Sequence, residues 1–344
     1  MSQILTSIVG NESLKRKLYS DLLSSTLSHA YIIEGKKGSG KHTLSYLLAA
    51  SVSCENVHDD TLPTPCLKCN TCRRILEKNS PDVIIVSKEK DKATLGVDVI
   101  RDLREDVSLV PNELDTKIYI IEDAGVMTTE AQNALLLTLE EPPEFVKFFL
   151  LCENSENLLE TIRSRSQKIT TAPIDIDSID AFLQKNNEEA RRLKLSDSFG
   201  YNELLMASEN TIGKAIELLD SDRFSQVIAA RTLARDFLNA VSKKCSSELF
   251  MSLIGRLDKK RDTLLKQLFV IETALRDIIA IQRTDNAPLL FFHSSEEALS
   301  FADSINVRKL MTVYNALKET EDNISQNANI RLTLISFFAN INII

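Results

Sequence analysis

The chain has 344 residues, 43% of them hydrophobic and 26% charged, with nine glycines and eight prolines. These proportions exclude collagen-like, low-complexity and wholly disordered chains, and at roughly 150 residues per domain the length predicts two or three domains. Forty-one Lys and Arg against 49 Asp and Glu give a formal charge of −8, which argues against nucleic-acid binding driven by bulk positive charge.

The first residues, MSQILTSIVG, lack a basic start, a continuous apolar core and a small-residue cleavage site, so no signal peptide is expected. Apolar runs stay far below the roughly 20 residues needed to cross a bilayer. A cytoplasmic protein is expected, and there six cysteines point to metal ligation or free thiols before disulfides. Along the first 170 residues, short apolar runs alternate with helical patterns. HAYIIEG (29–35), PDVIIV (81–86), KIYIIED (117–123) and VKFFLLCEN (146–154) read as strands. KHTLSYLLAAS (41–51), VDVIRDLREDVSLV (97–110) and TTEAQNALLLTLEE (128–141) read as helices, the second with Val99, Leu103 and Val107 on one face and the third ended by Pro142 and Pro143. This alternation predicts an α/β domain with a mostly parallel sheet covered on both faces.

After about residue 170 the strand signal disappears. Three short helical stretches precede longer ones that run from about 222 to the end, with loop-like breaks near 286–290 and 321–329. The expected plan is an α/β nucleotide-binding-like domain over 1–169 with a zinc module at about 52–75, three helices over 170–220 and an all-helical domain over 221–344.

IIEGKKGSGKHT (32–43) follows a strand and precedes a helix. Gly35, Gly38 and Gly40 permit a loop whose N–H groups point at phosphate oxygens, and Lys41 is placed to reach the β- and γ-phosphates. Ser39, His42 and Thr43 complete the candidate loop. The residue after Lys41 normally supplies a hydroxyl to Mg²⁺. Here it is His42, and Thr43 lies about 100° further round the helix. Imidazole is a poor Mg²⁺ partner beside oxygen, so weakened ATP binding or failed hydrolysis is expected. The strand YIIED (119–123) ends in Glu122 and Asp123, the reverse of the usual Asp then Glu, and catalytic groups tolerate misplacement by about 1 Å badly. The alternative reading is two acids that simply end a buried strand.

Cys54, Cys66, Cys69 and Cys72 form C-x₁₁-C-x₂-C-x₂-C, a spacing that lets four thiolates converge on one tetrahedral zinc ion and tie down an otherwise polar loop. An iron–sulfur centre is the rival, but Leu76 and Glu77 stand where a ferredoxin-like pattern has Cys-Pro; unrelated reduced thiols are the other alternative. His58 is read as a loop residue, and Cys152 and Cys245 as inert, partly buried thiols. Arg165, within Ser164-Arg165-Ser166, gains meaning only beside a phosphate loop, as an arginine finger for a neighbour. Lys214 in TIGKA has a parallel reading as a nucleotide sensor. Both also read as ordinary exposed cations. Serine-protease, glycosidase and zinc-protease arrangements are missing, as is an aromatic-basic groove for single strands.

Taken together, the phosphate loop, the four inserted cysteines, the acidic strand, NALLLTLEEPPEFVKFFL (133–150) and SRS resemble the bacterial DNA polymerase III clamp-loader subunits, most like the delta-prime class. The likeness covers about the first 220 residues and extends more weakly to NANIRLTLISFF (327–338), which is similar to the family's last collar helix. It implies an AAA+ module, a three-helix lid and a helical collar that joins five subunits in a heteropentamer. That assembly opens a ring-shaped sliding clamp and places it on primed DNA. By position, the resemblance makes Gly35, Gly38, Gly40 and Lys41 the Walker A loop and Glu122 and Asp123 an altered Walker B. It makes the four cysteines zinc ligands, Cys152–Asn154 the sensor-1 region, Lys214 the replacement for a sensor arginine, and Arg165 the arginine finger. G-K-H and Glu–Asp imply a stator-like subunit that is a poor ATPase and not itself a polymerase, with gamma/tau-like ATPases, delta, the sliding clamp and primer-template DNA as partners. ATP or ADP with Mg²⁺ in its own site is expected to be weak or absent. The alternatives are an active gamma/tau-like ATPase and a zinc-containing AAA+ binding module outside replication. DNA contact is expected through exposed helical basic residues of the first 110 positions; the cluster Lys15, Arg16 and Lys17 also reads as a plain solvent face.

Overall fold

The computed structural model describes residues 5, 8–24, 26–57, 64–242, 247–284 and 287–342. His58 and Cys245 lie outside them. The described chain divides into two compact units, one of residues 1–178 with Thr211–Lys214 and one of Ile179–Asn210 with Ala215–Ile344.

In the first unit, β1 (Ala30–Glu34), β2 (Val83–Val86), β3 (Lys117–Ile121), β4 (Val146–Cys152) and β5 (Gln167–Thr170) form one sheet in the order β2-β3-β4-β1-β5. Every pairing is parallel, so the connections must cross over the sheet faces, and helices fill them. The period of two along each strand assigns side chains to opposite faces. Tyr31, Ile33, Ile118, Ile120, Phe149 and Leu151 share one apolar cluster with Leu18 of α1 (Glu12–Leu23), Leu44 and Leu48 of α2 (Lys41–Val52) and Ile75 of α3 (Asn70–Leu76). The intervening Ala30, Ile32, Tyr119, Ile121, Phe148 and Leu150 join α4 (Val97–Val107), α5 (Thr129–Glu140) and α6 (Glu160–Arg165) on the other face. The parallel α/β sheet covered by helices on both faces is therefore present.

Three local expectations change. β5 carries no apolar run: only Ile169 of its four residues is buried, and its place comes from pairing with β1. The cysteine segment is not all loop, because α3 forms within it and buries Cys72 and Ile75. On α4 the buried face is Ile100, Leu103 and Val107, with Val99 half-buried.

The second unit is helical: most of α7 (Ile176–Asn186), α8 (Glu188–Ser196), α9 (Ser198–Ala207), part of α10 (Ile212–Glu217), α11 (Ser221–Ser242), α12 (Ser247–Arg256), α13 (Arg261–Ile281), α14 (Ser295–Ala302), α15 (Val307–Ser325) and α16 (Ile330–Asn342). Helix α15 runs through Ser325, so the break expected at 321–329 begins only at Gln326. One cluster centred on Phe237, Leu268, Leu275, Leu310, Val313 and Phe337 forms its core. Buried Glu203 of α9 is bonded by Arg231 and Arg235 of α11 and by His293, and the two arginine heads lie over the Phe291 ring at 4.4 and 5.1 Å.

Candidate functional site

β1 lies between β4 and β5, where the strand order reverses, and its carboxyl end opens into the glycine loop. Such switch points are where open α/β sheets form binding crevices. The loop is anchored first by Gly35, whose N–H bonds the Cys152 carbonyl at 3.1 Å. A methyl group on Gly35 would stand 1.9 Å from Thr171 Oγ1, and that hydroxyl lies 2.9 Å from Ser39 Oγ, so the loop is pinned to the end of β5. Glu34 reinforces the joint by accepting from Ser155 N–H at 2.7 Å and pairing with Lys168 at 2.9 Å. Partial burial raises its pKa, but the Ser155 and Lys168 bonds prevail and hold it below the ordinary value.

Gly38 and Gly40 have φ of 81° and 87°, values that favour glycine. Gly38 is also crowded, because its carbonyl accepts from Gly213 N–H at 3.0 Å and a methyl group on Gly213 would stand 2.6 Å from Gly38 Cα. Thus Thr211–Lys214 packs backbone to backbone against the loop, with the Lys214 amide nitrogen 2.8 Å from where a Gly38 methyl would be. Lys41 is buried, and its ammonium donates to the Gly35 carbonyl at 2.6 Å and the Lys36 carbonyl at 3.0 Å. Burial lowers its pKa, opposed by Glu153, Cys152 and Asp123.

The carboxyl end of β3 delivers Glu122 to the start of α2, where its Oε1 lies 3.1 Å from His42 Nδ1. Asp123 has a φ of 51°, and its mostly exposed carboxylate lies 4.0 Å from Lys88. The two acids therefore have different surroundings, and Thr43 is exposed. Gln132 on α5 had no signal in the sequence. It is buried, donates to the Met127 and Asn157 carbonyls and accepts from Leu159 N–H at 2.7 Å. It thereby joins the loop after the acidic strand to the loop that leads into α6. At the end of α6, half-exposed Arg165 donates to the Thr161 carbonyl at 3.2 Å and pairs with Glu140 at 2.9 Å. Cys152 is buried at the end of β4, and burial with nearby Glu34 pushes its thiol up to about 11.

The four cysteines converge. Their sulfurs all lie within 4.8 Å of one another, against the spacing of about 3.8 Å that a tetrahedron with Zn–S bonds of about 2.3 Å requires. Cys69 N–H and Cys72 N–H each donate to the sulfur three residues earlier at 3.3 Å, and the Asn56 amide reaches Cys66 Sγ at 3.5 Å. Burial raises the Cys54 and Cys72 thiols. Burial also opposes ionisation of Cys66, yet donors led by Asn56 hold it down at about 6. A cation would relieve the unfavourable burial of these sulfurs as thiolates. The donor set and spacing fit a structural zinc ion.

Lys15, expected on a solvent face, is buried and pairs with Glu12 at 2.8 Å, while Arg16 and Lys17 are exposed. Among the described residues, no helix is long and apolar enough to cross a membrane.

Residues 10–175 match the family model described as DNA polymerase III, delta subunit. The tau subunit of DNA polymerase III from Bacillus subtilis is 33% identical over 219 residues, which are 63% of this chain and 37% of that protein. The delta′ subunit from the same organism is 35% identical over 209 residues, 61% of this chain and 59% of that protein. The matches thus span less than two thirds of either relative. A solved DNA polymerase III gamma subunit-related protein from Thermotoga maritima aligns with 95% of this chain and 98% of its own, at 20% identity and a TM-score of 0.43. The chain is related to the tau, gamma and delta′ subunits of bacterial DNA polymerase III, with no clear preference between tau and delta′ in identity.

Proposed function

We propose that this chain is a delta-prime-like, stator-type subunit of a clamp loader, held by protein contacts in a heteropentamer with gamma/tau-like ATPases and delta. It supports the loading of a sliding clamp onto primed DNA in replication. Its own nucleotide site turns over little ATP, and Arg165 completes the site of a neighbouring ATPase. The observation that carries this reading is the contrast between two ends of one domain. At its own loop, His42 stands at the hydroxyl position and engages Glu122. On α6, Arg165 ends a helix half-exposed, bonded only to Glu140 and a carbonyl of its own turn among the described residues. A guanidinium so presented is suited to stabilising charge on a transferring γ-phosphate.

The active gamma/tau-like alternative draws on the tau match and on intact Lys41. Isolated chain is expected to show negligible ATPase activity. In a loader reconstituted with the ATPase and delta subunits, Arg165→Ala is expected to depress DNA-stimulated hydrolysis by about tenfold or more, without loss of assembly. Brisk turnover by the isolated chain would favour the alternative, and unchanged hydrolysis in the mutant loader would refute the trans role.

A further inference from the structure

The nucleotide loop has two halves that differ in kind. On the phosphate side, α2 begins at Lys41 behind Gly40, and the first N–H groups of a helix have no intrahelical carbonyl to bond. With Lys41 they form an anion-attracting end. On the metal side the chemistry is different. Mg²⁺ demands near-octahedral oxygen ligands at about 2.0–2.1 Å. The position that should offer a hydroxyl offers an imidazole ring, and that ring is already 3.1 Å from Glu122, one of the two carboxylates that end the acidic strand. Asp123 is mostly exposed, with its carboxylate 4.0 Å from the Lys88 ammonium. The residues present therefore do not fit a magnesium ion.

We propose that this pocket takes nucleoside polyphosphate without magnesium, and that His42, through its contact with Glu122, is the residue that excludes the metal. The proposal rests on reading residues 35–41 as a nucleotide loop, but not on any role of Arg165. In solution magnesium and the protein then compete for the same phosphate oxygens, so free polyphosphate is the species bound and added Mg²⁺ weakens binding. His42 is 55% exposed at its side chain, so replacing it leaves the core untouched. His42→Thr removes the ring, frees Glu122 and supplies the missing hydroxyl.

The test is calorimetric titration of the full zinc-loaded chain with ATP and with ADP, in metal-stripped buffer and again with millimolar Mg²⁺. A chelator is avoided because it would attack the cysteine cluster, and zinc content is checked before and after. For the natural chain, binding is expected to be at least as tight without Mg²⁺ as with it. For His42→Thr, Mg²⁺ is expected to tighten binding by about tenfold, equivalent to about 1.4 kcal/mol. Failure of either nucleotide to bind at millimolar concentration overturns the proposal, as does binding by the natural chain that strengthens tenfold with Mg²⁺. A His42→Thr chain whose binding ignores Mg²⁺ also overturns the assignment to His42. None of these outcomes bears on Arg165, whose role stands or falls in the reconstituted loader.

Discussion

Replacing Glu203 by Gln removes one negative charge from the interior of the helical unit and leaves the shape almost unchanged. Glu203 is 1% exposed and accepts from Arg231, Arg235 and His293, while Arg231 is itself only 4% exposed and also donates to the Phe291 carbonyl. Burial raises the carboxyl pKa, but His293 and the two arginines prevail and bring it down to about 2. A fall of roughly 2.5 units from an ordinary glutamate corresponds to about 3 kcal/mol of stability at neutral pH. Breaking a buried ion pair by removing one partner costs about 3–5 kcal/mol on independent grounds. Glu203→Gln is therefore expected to lower the unfolding free energy at pH 7 by about 3–4 kcal/mol in urea titrations. The sign with pH follows from the depressed value: the stabilisation is complete above the unfolded carboxyl pKa and is lost as pH falls toward 2. At about pH 3 less than half of it should remain. The natural chain should thus lose stability between about pH 5 and 2 more steeply than the variant. A loss below about 1 kcal/mol at pH 7, or parallel acid profiles, would refute the reasoning.

Other outcomes follow from the same structure. The purified chain should carry one zinc per molecule, and Cys72→Ser or chelation should remove it and lower the melting temperature of the first unit by about 10 °C; full stability without metal would contradict the structural role. Asp82 is fully buried and accepts from the N–H groups of Asn112, Glu113 and Leu114 at 2.7–2.9 Å. Asp82→Ala should cost about 3 kcal/mol or more, with faster hydrogen exchange at 112–114 as the local signature. Cys152, with its thiol raised to about 11, should resist iodoacetamide at neutral pH in the folded chain and react once urea unfolds it, as peptide mapping by mass would show.

How much of this was legible in the sequence depended on whether a signal was local. The cysteine spacing sufficed because four ligands in nineteen residues can meet around one ion whatever the rest of the fold does. Strands β1, β3 and β4 were legible because both their faces are buried, which writes continuous apolar runs. β5 was not, since Gln167, Lys168 and Thr170 keep polar surface and only the pairing with β1 makes it a strand. α3 was hidden by its length of seven residues and by its cap, the Cys69 sulfur, which no propensity describes. Lys15 looked like a solvent cation because its neighbours are cations; its burial follows from its place three and seven residues before Leu18 and Leu22, on the same buried face of α1. His42 was legible as a departure from the nucleotide-loop pattern. Its contact with Glu122, 80 positions away, was not, and neither was the packing of Gly213 on Gly38 nor the bridging by Gln132. Such contacts are set by where strands and loops end in space, and periodicity carries no record of that.

The trans role of Arg165 is met most directly by a structure of the assembled loader with an ATP analogue bound in the adjoining ATPase subunit. Release of Arg165 from Glu140 and a guanidinium within hydrogen-bond reach of that neighbour's γ-phosphate is the expected result. A guanidinium still on Glu140, facing away from every adjoining phosphate, would contradict the account.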